Sequence, residues 1–183
     1  MGAVTETLAA ELTEVGMREL TVYLIALGIV STGVFAGGAE RAFAQTVTIK
    51  QSEDRLGVFF DGELFTNYII RGYSRPLLFP VIGPYGLSMT RSFPIEMGTP
   101  GESHDHPHQK SLFFAYGWVN GVNFFAESPD CGKTVHDKLL QVDSGTDRGS
   151  IRSANNWVGP YGKIICTDTR TICFQAVPSG RVI

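Results

Sequence analysis

From Gln45 onward no stretch of this chain sustains a 3.6-residue apolar period. That property leaves little room for amphipathic helix and directs the chain toward sheet. In its place stand short β-favouring runs cut by turn chemistry. Thr46-Val47-Thr48-Ile49-Lys50-Gln51 alternates in period two. Leu56 to Phe60 and Leu64 to Ile70 flank Asp61-Gly62, a pair suited to the two left-handed positions of a tight hairpin. Arg75-Pro76 leads into an apolar run from Leu77 to Ile82, closed by Gly83-Pro84-Tyr85-Gly86. Leu112 to Tyr116 and Val122 to Ala126 read as strands around Asn120-Gly121, and Ser150 to Asn155 and Lys163 to Val177 as two more. Strands of this length with close turns predict an all-β fold, an antiparallel β-sandwich, over residues 45–183.

Composition agrees. The 43% hydrophobic and 18% charged content suits a packed domain, and 21 glycines with nine prolines suit many turns. The net charge of −3 comes with no basic block, so no nucleic-acid partner is expected. The tetrapeptide Gly83-Pro84-Tyr85-Gly86 recurs as Gly159-Pro160-Tyr161-Gly162. Its flanks do not match at a constant offset, so it reads as one turn solution used twice rather than a repeat architecture. Pro178-Ser179-Gly180 reads as a turn, and Arg181-Val182-Ile183 as a short return strand. A strand that brief leaves most of its partner's edge unpaired, so the domain is expected to be C-terminally incomplete.

The first 44 residues form a separate region. Leu20 to Ala36 is uncharged with Arg18 just before it, and Ala42-Phe43-Ala44 places small residues before Gln45. This layout predicts an N-terminal extension and signal peptide carried on an apolar helix, cleaved after Ala44, with a periplasmic or secreted product. Met17-Arg18 offers a more ordinary start than the glutamate-rich residues ahead of it. Membrane contact is expected only through this segment if it stays uncleaved. Export would put Cys131, Cys166 and Cys173 where disulfides form. On one continuous strand, however, Cys166 and Cys173 would lie on opposite faces, roughly 23 Å apart. All three are therefore read as buried small hydrophobes.

His104-Asp105-His106-Pro107-His108 holds three of the chain's four histidines, and imidazole is the side chain suited to proton transfer near neutral pH and to borderline metals. If the segment is extended, the three rings share one face and Asp105 takes the other. Gly98 precedes His104-Asp105-His106 at the spacing of a cupin metal motif, but Lys110 and Ser111 stand where the acidic ligand belongs. Glu102 or Glu127 would have to substitute for it, and no cofactor is assigned. A metal-free site would use the imidazoles for acid–base work or for hydrogen bonds to a polyhydroxylated ligand, with Asp105 or Glu102 fixing a tautomer. The plain alternative is a polar loop that satisfies backbone groups. Arg91 offers a planar fork for carboxylate or hydroxyl groups, or a surface ion pair. Asn120 reads first as a turn residue, and His136 first as a structural histidine.

Taken together, Thr90-Arg91-Ser92-Phe93-Pro94, Asp105-His106-Pro107-His108 and Trp118-Val119-Asn120-Gly121-Val122-Asn123-Phe124-Phe125 resemble a bacterial family labelled "methane oxygenase PmoA-like". The likeness spans about residues 56–183. It implies an exported β-sandwich related to the galactose-mutarotase type that acts on or binds carbohydrate. By position it implies catalytic His106, His108 and Asp105. The implied ligand-binding residues are Arg91 and Asn120, with Glu127 and His136 less securely, and the histidine cluster itself adds His104 to them. The chain departs from that pattern where Gln109 replaces a second consecutive histidine, Lys110 an arginine, and Phe113-Phe114 a tryptophan. Gln109 cannot transfer protons. The sequence thus predicts an exported protein with a carbohydrate ligand, acting on it or only binding it, and a metal-dependent cupin-like enzyme as a further alternative.

Overall fold

The computed structural model describes residues 44–183, and the apolar segment, signal peptide and N-terminal helix expected from the sequence lie outside the described residues. In chain order the strands are β1 (Thr46–Gln51), β2 (Arg55–Phe60), β3 (Glu63–Ile69), β4 (Leu77–Val81), β5 (Leu112–Phe113), β6 (Trp118–Val119), β7 (Val122–Asn123), β8 (Lys133–Asp143), β9 (Gly145–Thr146), β10 (Arg148–Val158), β11 (Ile164–Val177) and β12 (Gly180–Val182). They build one sheet in the order β5-β4-β3-β2-β1-β9, a second in the order β12-β11-β10-β8, and the small β6-β7 hairpin. All pairings are antiparallel.

The first hairpin forms where expected. Asp61 and Gly62 take φ of 50° and 85°, so β3 folds back on β2 with Phe60 opposite Glu63. The Asp61 carboxylate also accepts the Thr46 N–H at 2.7 Å, which ties β1 to the turn. The β1–β2 pair carries the alternation inward: Val47, Leu56, Val58 and Phe60 are fully buried. Facing them from the second sheet are Ile151 and Phe174, with Val142 and Ile172 packed alongside. One core shared by two antiparallel sheets is the sandwich the sequence predicts. Each of these fully buried apolar side chains contributes ~1.5–3 kcal/mol by leaving water.

Gly149 shows how closely the sheets approach, since a Cβ there would lie 2.7 Å from Val47 Cγ1 and 3.0 Å from the Asp143 carbonyl. Only glycine lets β10 pass β1 at that distance.

Several elements differ from the sequence reading. β7 stops at Asn123 because its Oδ1 accepts the N–H groups of Phe125 and Ala126 at 2.8 and 3.2 Å. That local turn takes the donors a longer strand would need. β5 likewise ends at Phe113, short of the expected Tyr116. The eleven-residue β8 is absent from the sequence reading. Its pairing with β10 slips opposite Arg152/Ser153 and Ala154/Asn155, and each slip breaks the period-two signal. β12 pairs with the end of β11 through Arg181 and Val182. The three cysteines are unpaired as expected, but only Cys131 is buried, whereas Cys166 and Cys173 are half-buried.

Candidate functional site

The segment between β4 and β5 is not extended, and Arg91 is the reason. Its Nη2 donates to the carbonyls of Asp105 and His106 at 2.7 and 2.9 Å. Its Nη1 donates to Asp105 Oδ1 at 2.9 Å. Gathering consecutive carbonyls onto one planar fork bends the chain, and His106 takes a φ of 48°. The expected single face of three histidines is therefore replaced by a turn that sorts them. His104 stacks flat on Phe93, with centroids 4.7 Å apart and planes at 16°. His106 and His108 stay together, centroids 5.8 Å apart, and His108 meets the Phe125 ring edge-on at 5.3 Å.

Asp105 is the electrostatic centre of the turn. It accepts from the Ser103 hydroxyl at 2.7 Å, from Arg91, and through Oδ2 from Nδ1 of His106 at 2.7 Å. The Ser103 hydroxyl, then Arg91, then His106 hold its carboxyl well below the usual carboxylate range. The pairing fixes the His106 ring so that Nε2, on the far side of the imidazole, is the nitrogen presented outward. Glu102 caps the preceding turn by accepting the N–H groups of Ser92 and Phe93 at 2.7 and 2.9 Å. Those two backbone bonds lower its pKa.

A second anchor lies beneath His108. Arg75 is only 3% exposed, donates to the Phe125 carbonyl at 2.8 Å and packs 4.9 Å from the Phe113 ring centroid. Burial pushes its pKa down, with Glu127 opposing. The Glu127 carboxylate accepts from Ser74 through Oε1 and from Lys110 through Oε2. Burial raises the Glu127 pKa, but Lys110 and Ser74 outweigh it, so the net shift is downward. Lys110 also donates to the Pro107 carbonyl at 2.8 Å. Glu127 thus joins the histidine turn to the loop before β4.

Of the residues singled out by the sequence, Arg91, Asp105, His106 and His108 come together, and Glu127 reaches them through Lys110. Arg91 directs its fork at the loop, not outward. Asn120 sits at the exposed β6–β7 tip with φ 48°. His136 lies on β8 opposite Asn155, in the other sheet. Sequence reasoning missed Arg75, Ser74 and Ser103, none of which stands in a periodic or clustered pattern. It also missed the Asp168 carboxylate, which accepts from Asn155, Trp157 and Arg170 at 2.7, 2.7 and 2.8 Å between the sheets.

The cupin alternative does not fit this geometry. His104 is turned onto Phe93, and Nδ1 of His106 is engaged by Asp105. Among the described residues no group of three or more His, Cys, Asp or Glu is placed to hold a metal ion.

No curated protein and no solved structure matches the chain. A family model described as "Family of unknown function (DUF6807)" matches residues 55–183, a span that takes in every strand but β1, the histidine turn and the Arg75–Glu127 anchor. The chain therefore belongs to DUF6807, a family of unknown function.

Proposed function

We propose that this is an exported protein that binds carbohydrate, and that the His106–His108 turn makes the primary contact. The observation that carries the reading is Asp105, clamped between Arg91 and His106. It leaves an oriented imidazole with its outer nitrogen available to a hydroxyl. His106 and His108 alternate hydrogen-bonding edges with ring faces, and Phe125, 39% exposed beside His108, adds an apolar surface for the C–H face of a sugar. The likeness of the Asp105-His106-Pro107-His108 and Trp118 to Phe125 segments to the PmoA-like family, and through it to mutarotase-type sandwiches, supports the same ligand class.

Binding without turnover is favoured over catalysis by one feature. His106 is more than half exposed, and acid–base catalysis gains most where water is excluded. The test is a glycan panel on purified protein, with hits followed by NMR for anomeric exchange or bond cleavage. Saturable binding that weakens at least tenfold in His106→Ala is expected. Absence of any glycan binding sinks the reading, and turnover of a bound glycan replaces the module with an enzyme. Export is tested by N-terminal sequencing of the protein recovered after expression of the full chain, with Gln45 expected first.

A further inference from the structure

Two adjoining cavities include Glu127 in their walls but none of the histidines of the turn. One, of about 460 Å³, opens toward Tyr73 and Ser74. The other, of about 370 Å³, opens toward the β10–β11 turn at Gly159, Pro160 and Gly162. Glu127, Ser128, Cys131 and Lys133 line both, so the two read as one groove with a shared floor. Each half is within the size range of small-ligand sites.

The floor is rigid. Gly132 is so close to Phe124 that a Cβ would lie 2.3 Å from its ring. Its N–H bonds the Asn123 carbonyl at 2.8 Å, and the next strand is tied to the β3–β4 loop by Thr134 N–H to the Ser74 carbonyl at 2.9 Å. The polar groups are mixed in sense. Glu127 accepts, Lys133 donates, and the Ser128 hydroxyl can do both. One aromatic ring lines the groove: Tyr73, 36% exposed, stands at the end beside Ser74.

We propose that this groove binds a linear oligosaccharide of two or more units, with Tyr73 as a stacking platform and Glu127 and Lys133 as hydroxyl partners. The inference rests on the carbohydrate reading above and extends it from one contact turn to a chain-length-sensing site.

Calorimetry on the full chain with malto-, cello-, xylo- and galacturonate oligosaccharides of one to six units tests the idea. For at least one series, Kd is expected to tighten from one unit to three. Tyr73→Ala should remove about three- to tenfold of that gain while monosaccharide binding persists. Amide shifts on titration with the unmodified chain should cluster at Ser74, Glu127 to Lys133 and Gly159 to Gly162. If a series binds but Tyr73→Ala leaves its length dependence unchanged and the shifts cluster only at Asp105 to His108, the groove is overturned and the turn survives. If no series binds, the carbohydrate reading itself fails and the groove with it.

Discussion

Nδ1 of His106 meets Oδ2 of Asp105 at 2.7 Å, while Oδ1 of the same carboxylate holds Arg91 at 2.9 Å. The pair works only while Asp105 is ionised, and its depressed pKa keeps it so. A carboxyl lowered on folding contributes order above its unfolded pKa, and that order is lost as pH falls through the folded value. The Asp105 carboxyl carbon should therefore show no NMR titration step between pH 7 and pH 4. In Arg91→Gln one of its charged partners is gone, and the step should move up toward the ordinary carboxylate range. An unchanged profile in the variant would show that Arg91 does not control the site.

Arg75 is predicted to be the costliest single truncation near the turn. It is 3% exposed and bonds the Phe125 carbonyl. Arg75→Met would leave that acceptor without its donor and remove the cation 3.8 Å from the Glu127 carboxylate, at ~2–4 kcal/mol. Arg75→Lys should recover less than half of the loss, because an ammonium lacks the planar fork that also packs on Phe113. Urea unfolding of the three proteins reads this directly, and a fully stable lysine variant would contradict it.

The first sheet was legible because its residues obey one rule at a time. Val47, Leu56, Val58 and Phe60 alternate cleanly, and Asp61-Gly62 supplies the turn. β8 was not legible because two bulges shift its face, and its adjacent Leu139 and Leu140 break the alternation. β10 is longer than expected for a related reason. Its inward positions run Ile151, Ser153, Asn155, Trp157, so polar residues occupy core sites. Tyr68 reaches across from β3 toward Ser153 at 3.3 Å, and Asp168 on β11 serves Asn155 and Trp157. Local pattern cannot announce partners so distant in sequence. The histidine cluster was visible as composition, but its shape was not, because the bend is imposed by Arg91 from more than ten residues away. Glu127 was named without its partners for the same reason.

Gly132 should tolerate no side chain. An added methyl would press on Phe124 at 2.3 Å, and the ring has little room because it also packs against Trp157 with centroids 4.8 Å apart. Gly132→Ala is expected to destabilise by ~1–3 kcal/mol through overpacking, with a lowered thermal midpoint and altered Trp157 fluorescence. The control is Gly117→Ala, where nothing lies within 4 Å of the new Cβ. Equal midpoints for the two variants would refute the packing argument.

His136 should make the fold sensitive to mild acid, apart from the histidines of the turn. Burial is the largest influence on it and lowers its pKa from 6.5, aided by Arg71, while its cross-strand neighbour Asn155 and the adjacent Asp137 oppose the shift. Its Nδ1 and the Asn155 Oδ1 are both buried without a hydrogen-bond partner. Because the folded pKa lies below the unfolded one, the unfolded chain takes up a proton first as pH falls, so stability present above about 6.5 declines below it. The decline continues until the folded imidazole is itself protonated. Urea midpoints measured from pH 8 to pH 5 should fall in the parent and fall less in His136→Gln. His104, His106 and His108 are common to both proteins, so the difference between the curves isolates this one ring, and parallel curves would remove His136 as the cause.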